Sequence, residues 1–231
     1  MISKILNALL DSIYPPHCML CDELISPECY FCDNCVGKVS IISDEICTCC
    51  GLALKKCRCK NFIYYFDGII SPFYNKTTAK ECFYQFKFHK NRRNGNYFAQ
   101  KMAEWVERHY KNIPFDSIAY VCKSKNGNSF NQTRYLAKRV SELLHIPIYN
   151  CITNTDKKRQ IQHNTRMNSR FENVRDAYKL TKSVKNRKIL LIDDIKTTGA
   201  TISECARILK LNGASCVYCV TALVGDYNSK D

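Results

Sequence analysis

The sequence predicts an α/β fold with a parallel sheet, carrying a small cysteine-rich module at its N-terminal end. Three observations lead there. Residues 189–201 read I-L-L-I-D-D-I-K-T-T-G-A-T: an apolar run, two carboxylates, a small-residue turn and the start of a helical pattern. From residue 116 onward, strand-like and helix-like stretches alternate, the order that builds parallel sheets with right-handed crossovers. Ahead of residue 60, cysteines recur in C-x2-C pairs, the spacing at which a chain turns two sulfurs toward one metal ion.

Composition sets the outer bounds. The 231 residues hold one ordinary domain and a small module, and an apolar share of 45% supports a real core. No apolar run approaches the length of a membrane span, and residues 1–10 carry no signal-peptide cleavage pattern, so a cytoplasmic protein without a membrane span is expected. Sixteen cysteines in that reducing setting argue for metal ligation. A secreted disulfide scaffold is normally short and lacks such a strand–loop–helix. The formal net charge is +14. Eight thiolates holding two Zn²⁺ would bring it to about +10. That surplus suits a polyanionic partner, with simple solubility as the plainer account.

Residues 2–13 place Ile2, Ile5, Leu6, Leu9, Leu10 and Ile13 on one helical face, and Pro15 and Pro16 end that helix. The cysteine knuckles follow: Cys18-x2-Cys21, Cys32-x2-Cys35, Cys47-x2-Cys50 and Cys57-x-Cys59. They supply ligands for two tetrahedral zinc ions. Sequential pairing puts Cys18, Cys21, Cys32 and Cys35 on one ion, and Cys47, Cys50, Cys57 and Cys59 on the other. Interleaved pairing, with Cys18 and Cys21 joined to Cys47 and Cys50, fits the spacing too. Cys29 and Cys49 fall outside the pairs. So small a module cannot bury enough apolar surface by itself, so metal would supply its folding free energy. The spacing is compatible with a module that binds nucleic acid or protein, and equally with a structural clip.

Residues 67–74 (D-G-I-I-S-P-F-Y) read as a strand entering the second domain. Residues 77–87 then form a helix with Ala79, Cys82, Phe83 and Phe86 facing inward. Lys87, Lys90, Arg92 and Arg93, with Phe88 and His89 between them, make a basic and aromatic patch that suits single-stranded nucleic acid. A solvated helix end, with cations near its negative dipole, explains the same residues. Residues 97–109 are a second amphipathic helix whose Trp105 belongs in the core. Residues 116–122 form a short buried strand, residues 123–129 a polar loop, residues 130–144 a helix and residues 146–151 the next strand.

Residues 153–188 carry eleven basic side chains against three acidic ones. Within them, residues 157–169 show little apolar periodicity and are expected to form a long mobile loop, charged to close over a pyrophosphate or a nucleic-acid backbone. The stretch that follows carries the chemistry. Residues 189–192 are wholly apolar, as in a strand buried on both faces. Asp193 and Asp194, at the strand's end, suit ribose hydroxyls or a divalent cation. Thr197, Thr198, Gly199, Ala200 and Thr201 lead into a helix N-terminus, where backbone N–H groups and the dipole favour a phosphate. Ile202, Cys205, Ala206 and Leu209 continue that helix, Gly213 caps it, and residues 216–223 form a last buried strand. Cys205, Cys216 and Cys219 read as core.

These residues resemble the phosphoribosyl-pyrophosphate (PRPP) signature of type I phosphoribosyltransferases. With the knuckles ahead, nearly the whole chain resembles the ComF family, competence-associated proteins in which a double zinc ribbon is fused to such a domain. Lys87-Phe88, Phe130-Asn131-Gln132, Gln162, and Arg170-x2-Asn173-Val174 before Ala177-Tyr178 also match it. The resemblance implies a parallel-sheet type I phosphoribosyltransferase fold, with residues 1–61 as helix and ribbon and residues 62–231 as the transferase-like domain. It implies that Asp193 and Asp194 hold the ribose 2′ and 3′ hydroxyls, directly or through Mg²⁺, and are the catalytic pair if the protein turns over. Residues 197–201 would wrap the 5′-phosphate. Residues 122–125, Lys123 among them, would contact pyrophosphate, and residues 157–170 would cover the site. One departure is plain. The family reads R-G-F-N-Q, whereas Asn128-Ser129 stand here in place of Arg-Gly, removing a cation for which Lys123 and Lys125 would compensate. No base pocket of the purine or pyrimidine salvage type is evident. The implied function is DNA uptake in the cytoplasm, with PRPP and Mg²⁺ as ligand or allosteric signal, and single-stranded DNA and other DNA-uptake proteins as partners. The alternative is an active phosphoribosyltransferase with an unidentified acceptor.

Overall fold

The fold is that of a computed structural model, which describes residues 15–43, 45–57, 59, 63–122, 130–155, 171 and 174–225. The expected helix over residues 2–13, the loop with Lys123 and the basic segment 157–169 lie outside the described residues.

Among the described residues the second domain carries seven strands, β1 (Gly68–Ile70), β2 (Phe73–Tyr74), β3 (Ser117–Tyr120), β4 (Ile152–Asn154), β5 (Tyr178–Leu180), β6 (Lys188–Lys196) and β7 (Cys216–Val224). Its helices are α1 (Thr77–His89), α2 (Arg92–Tyr110), α3 (Gln132–Leu144) and α4 (Ala200–Leu211). The main sheet runs β1-β7-β6-β3, with β2 also on β7, and every pairing in it is parallel. β4 and β5 form a separate antiparallel pair. Helices cover both faces of the main sheet, which is why its strands are apolar throughout.

Side-chain alternation along β6 divides the core in two. Leu190 and Ile192 face α1, α2 and α3, among Phe83, Phe86, Phe98 and Leu136. Ile189 and Leu191 face α4, among Ile202, Cys205 and Leu209. Trp105 lies in the first layer, as expected; Cys205 and Cys219 lie in the second, while Cys216 is only partly buried.

Four elements differ from the sequence reading. The expected strand over residues 67–74 breaks into β1 and β2 around Pro72, which has no N–H to give a ladder. Both halves nevertheless keep one register on β7. The helix expected from residue 97 begins at Arg92, capped by the Asn91 side chain, which accepts from the N–H groups of Arg93 and Asn94. Its first turns hold the N-G-N of residues 94–96, where packing requires the glycine: a Cβ on Gly95 would sit 2.5 Å from the Phe86 ring, so helix and helix meet there. Residues 146–151 make only a parallel bridge at Ile148 beside Ile118, since Pro147 cannot donate and only its carbonyl is used. β6 runs on to Lys196, so the two carboxylates lie within the strand and not at its end.

The ribbons are clamped onto this domain. The Arg93 guanidinium donates to the carbonyls of Pro27 and Cys29 and lies over the Tyr30 ring. Thr78 Oγ1 donates to the Lys38 carbonyl at 2.7 Å, and the Ile69 N–H donates to the Thr48 carbonyl at 2.6 Å. Among the described residues no helix is long and apolar enough to cross a membrane.

Candidate phosphate site and metal centres

The continuous strand β6 sends its two carboxylates to opposite faces. Asp194 turns toward α1, where Lys87 Nζ lies 3.5 Å from its Oδ2. Asp193 turns toward the α4 layer, where its charge reaches Cys205 and Cys219. Burial first, and Asp193 second, push both thiols well up, so they stay protonated and inert. Each carboxylate also accepts a backbone bond at 2.9 Å, from the N–H groups of Asp194 and Ile195 respectively. Both aspartates are 7% exposed. A buried carboxylate needs such partners to keep its charge.

The turn after β6 forms a recess of about 20 Å³, lined by Asp193 and residues 195–202. Of the expected site residues, Asp193, Thr197, Thr198, Gly199, Ala200 and Thr201 line this recess, whereas Asp194, turned toward Lys87, does not. Gly199 has φ +81°, and a Cβ there would come within 3.0 Å of the Tyr64 ring and 3.1 Å of Lys196 Cε. Glycine is therefore required by conformation and by space. Thr198 Oγ1 accepts from the Ala200 N–H at 3.3 Å and shapes the entry to α4. Ala200, Thr201 and Ile202, at the start of α4, line the recess, and the N-terminal end of a helix is the end that favours an anion.

Three residues of this site escaped sequence reasoning. Lys196 is buried at 1% exposure, and its ammonium lies 5.4 Å from the centre of the Tyr64 ring. Tyr64 donates its hydroxyl to the Thr198 carbonyl at 3.2 Å and stacks on Phe66. Lys87 appeared in a basic patch and in the Lys87-Phe88 match, with no partner assigned to it. Neither the Lys87–Asp194 pair nor the Tyr64–Thr198 bond has a signal in local spacing, because each joins segments more than a hundred residues apart. The Phe130-Asn131-Gln132 match gains a structural meaning as well. Asn131 caps α3, and the Gln132 side chain donates to the Lys87 carbonyl at 2.9 Å, tying α3 to the end of α1. Beyond the basic segment, the Asp176 N–H donates to Glu204, whose carboxylate is held in two bonds by Arg207 on α4.

The cysteines gather in two quartets, Cys18, Cys21, Cys32 and Cys35, then Cys47, Cys50, Cys57 and Cys59, with all ligand atoms of a quartet within 4.8 Å of one another. This is the sequential arrangement. The sulfur pairs Cys21–Cys32 and Cys50–Cys57 stand 3.6 Å apart and Cys47–Cys59 3.7 Å. Four sulfurs placed about 2.3 Å from one Zn²⁺ in a tetrahedron lie about 3.8 Å from each other, so the quartets fit zinc. Within the second quartet, burial pushes the Cys50 thiol up, whereas a backbone hydrogen bond from Cys59 draws Cys57 down. Four thiolates share so small a space only when a metal neutralises them. Cys29 and Cys49 remain exposed and outside both quartets. Another recess, of about 620 Å³, lies between the first ribbon, the end of α1 and the start of α2, away from the carboxylates. It contains none of the phosphate chemistry.

A parallel sheet with a carboxylate pair and a glycine turn at its helix entry, behind two cysteine quartets, defines an α/β protein of the phosphoribosyltransferase fold with a double zinc ribbon. The chain belongs to the phosphoribosyl transferase domain family, whose profile matches residues 93–230, and with a double zinc ribbon domain over residues 9–62 it is a ComF-type member. It is similar to "DNA utilization protein YhgH" of Escherichia coli K12, 32% identical over 38% of this chain and 39% of that protein. It is also similar to "Competence protein F" of Haemophilus influenzae, 31% identical over 36% of this chain and 38% of that protein. The matches thus span about two fifths of these relatives. Among solved structures, phosphoribosylpyrophosphate synthetase from Mycobacterium smegmatis overlaps 57% of this chain and 34% of its own, at 19% identity and a TM-score of 0.37. The hypoxanthine-guanine phosphoribosyltransferase of Leishmania tarentolae overlaps 57% and 66%, at 20% identity and 0.36. Overlaps this loose carry no argument.

Proposed function

We propose that the chain is a cytoplasmic protein of DNA uptake that binds PRPP with Mg²⁺ at residues 193–201 and single-stranded DNA on its basic surface. One observation carries the reading: the recess lined by Asp193 and residues 195–202 sets a buried carboxylate beside the start of α4. That combination suits a ligand with a phosphate at one end and hydroxyls or a metal-bound pyrophosphate at the other. Asp193 and Asp194 would hold the ribose hydroxyls or the ion, since Mg²⁺ takes oxygen donors. Residues 197–201 would hold the 5′-phosphate, and Lys123 the pyrophosphate. Zinc at both quartets would fold residues 1–61 onto the transferase-like domain of residues 62–231. The names of the two relatives and a net charge of +14 support DNA and other uptake proteins as partners.

Calorimetric titration of PRPP with Mg²⁺ tests the ligand. The Asp193→Ala, Asp194→Ala double variant is expected to stay folded and lose binding, and unchanged affinity would refute the role. DNA affinity is expected to fall steeply with salt, whereas a flat response would exclude the basic surface as the contact.

The intact acidic pair and T-T-G-A-T turn also favour a second reading, an active phosphoribosyltransferase. There Asp193 and Asp194 would position the ribose while pyrophosphate leaves toward an unidentified acceptor. Pyrophosphate release, assayed with candidate bases and with single-stranded DNA, separates the two. Tight PRPP binding without release under any condition leaves binding alone.

A further inference from the structure

Helix α1 turns Ala79, Cys82, Phe83 and Phe86 into the core and carries two aromatic rings on its outer side. Phe88 is 63% exposed and Tyr84 36%. They stand one helical turn apart, edge to face, with centroids 5.3 Å apart. Exposing one large apolar ring is ordinary; two adjacent rings framed by cations are a surface feature that folding does not explain.

The cations are placed against the rings. Lys80 Nζ lies 5.7 Å from the centre of Tyr84, and Lys87 Nζ lies 5.9 Å from the centre of Phe88. At the helix end, exposed Lys90 and Arg92 add two cations, with a left-handed turn at Lys90 (φ 58°) between α1 and α2. The sequence alone left this patch between a nucleic-acid surface and a solvated helix end. The exposure of both rings decides between them: a merely solvated end needs the charges and not the aromatics.

We propose that the outer side of α1, with Tyr84 and Phe88 as stacking faces and Lys80 and Lys90 as phosphate contacts, is a docking platform for single-stranded DNA. Unpaired bases offer a π-face to each ring, and the backbone runs along the cations. A duplex hides its base faces and would use only the charges. The platform meets the phosphate site at Lys87, which touches both Phe88 and Asp194. It deepens the DNA-binding reading above, and rests on it, by naming the surface.

Fluorescence anisotropy of the full chain with a labelled thymidine oligonucleotide tests it, with the same sequence as duplex and a uridine oligonucleotide as further arms. The Tyr84→Ala, Phe88→Ala variant is expected to lose roughly tenfold or more in single-strand affinity, and Phe88→Trp to retain it. Both side chains are exposed, so the melting temperature is expected to hold. Unchanged affinity in the double variant, with wild-type protein binding normally, overturns the platform and leaves DNA binding standing. No binding by the wild-type chain at any salt overturns both. A duplex bound as tightly as the single strand overturns stacking, and a loss confined to the uridine arm replaces DNA with RNA.

Discussion

The ammonium of Lys87 lies 3.5 Å from Oδ2 of Asp194, joining the last turn of α1 to the carboxylate pair of β6. The lysine side chain is 27% exposed and the aspartate 9%, so the contact is largely shielded from water. Removing the cation leaves a buried carboxylate short of one partner. Lys87→Met is expected to lower stability by about 1 kcal/mol, read by urea unfolding. The same change frees Asp194 for a metal, so half-maximal PRPP binding should need several-fold less Mg²⁺. An unmoved Mg²⁺ midpoint would show that Asp194 does not reach the ion.

Gly199→Ala puts a Cβ at a φ of +81°, 3.0 Å from the Tyr64 ring. The left-handed conformation alone costs about 1–2 kcal/mol for a residue with a side chain. Urea unfolding should show at least that loss, and PRPP titration a drop of tenfold or more as the turn shifts. Full PRPP affinity in this variant would mean that the turn does not hold the phosphate.

The sequential quartets predict how zinc responds to mutation. Metal analysis of the purified chain is expected to find two zinc ions. Replacing Cys18, Cys21, Cys32 and Cys35 by serine together should leave one, because the second quartet keeps all four of its ligands. Interleaved ligation would leave neither ion whole, and a count near zero would reveal it.

Tyr64→Phe keeps the ring under Gly199 and removes only the bond to the Thr198 carbonyl. A lost neutral hydrogen bond is worth about 0.5–1.5 kcal/mol, so PRPP affinity should fall by roughly threefold to tenfold, with little change in melting temperature. Equal affinity would reduce Tyr64 to a packing residue.

Local sequence carried the parts of this molecule whose physics is local. The turn from Asp193 to Thr201 is legible because its strand, glycine and helix entry are contiguous, and the quartets because two-residue spacing already brings sulfurs together. Elements failed where distant packing decides. The helix expected from residue 97 begins at Arg92 because Asn91 caps it and Gly95 packs on Phe86, and residues 146–151 read as a strand although Pro147 lacks the donor. Lys87 stands in the Lys87-Phe88 match and Lys196 in the 189–201 motif, but nothing local to them or to Tyr64 names the groups they meet. Their roles arise from partners brought together by the parallel sheet and the helices on its two faces.

Tyr64 has one more neighbour of consequence. Besides reaching Thr198, it packs on the small cluster of Cys50, Leu52 and Val224, where the second quartet meets the sheet. The phosphate turn is therefore buttressed by a segment whose own order depends on a metal. A chelator in a preparation buffer would act at a distance from any carboxylate, yet be read in a titration as weak sugar-phosphate binding. Protein kept with stoichiometric zinc and a reductant is the form in which the true affinity of the turn can be measured.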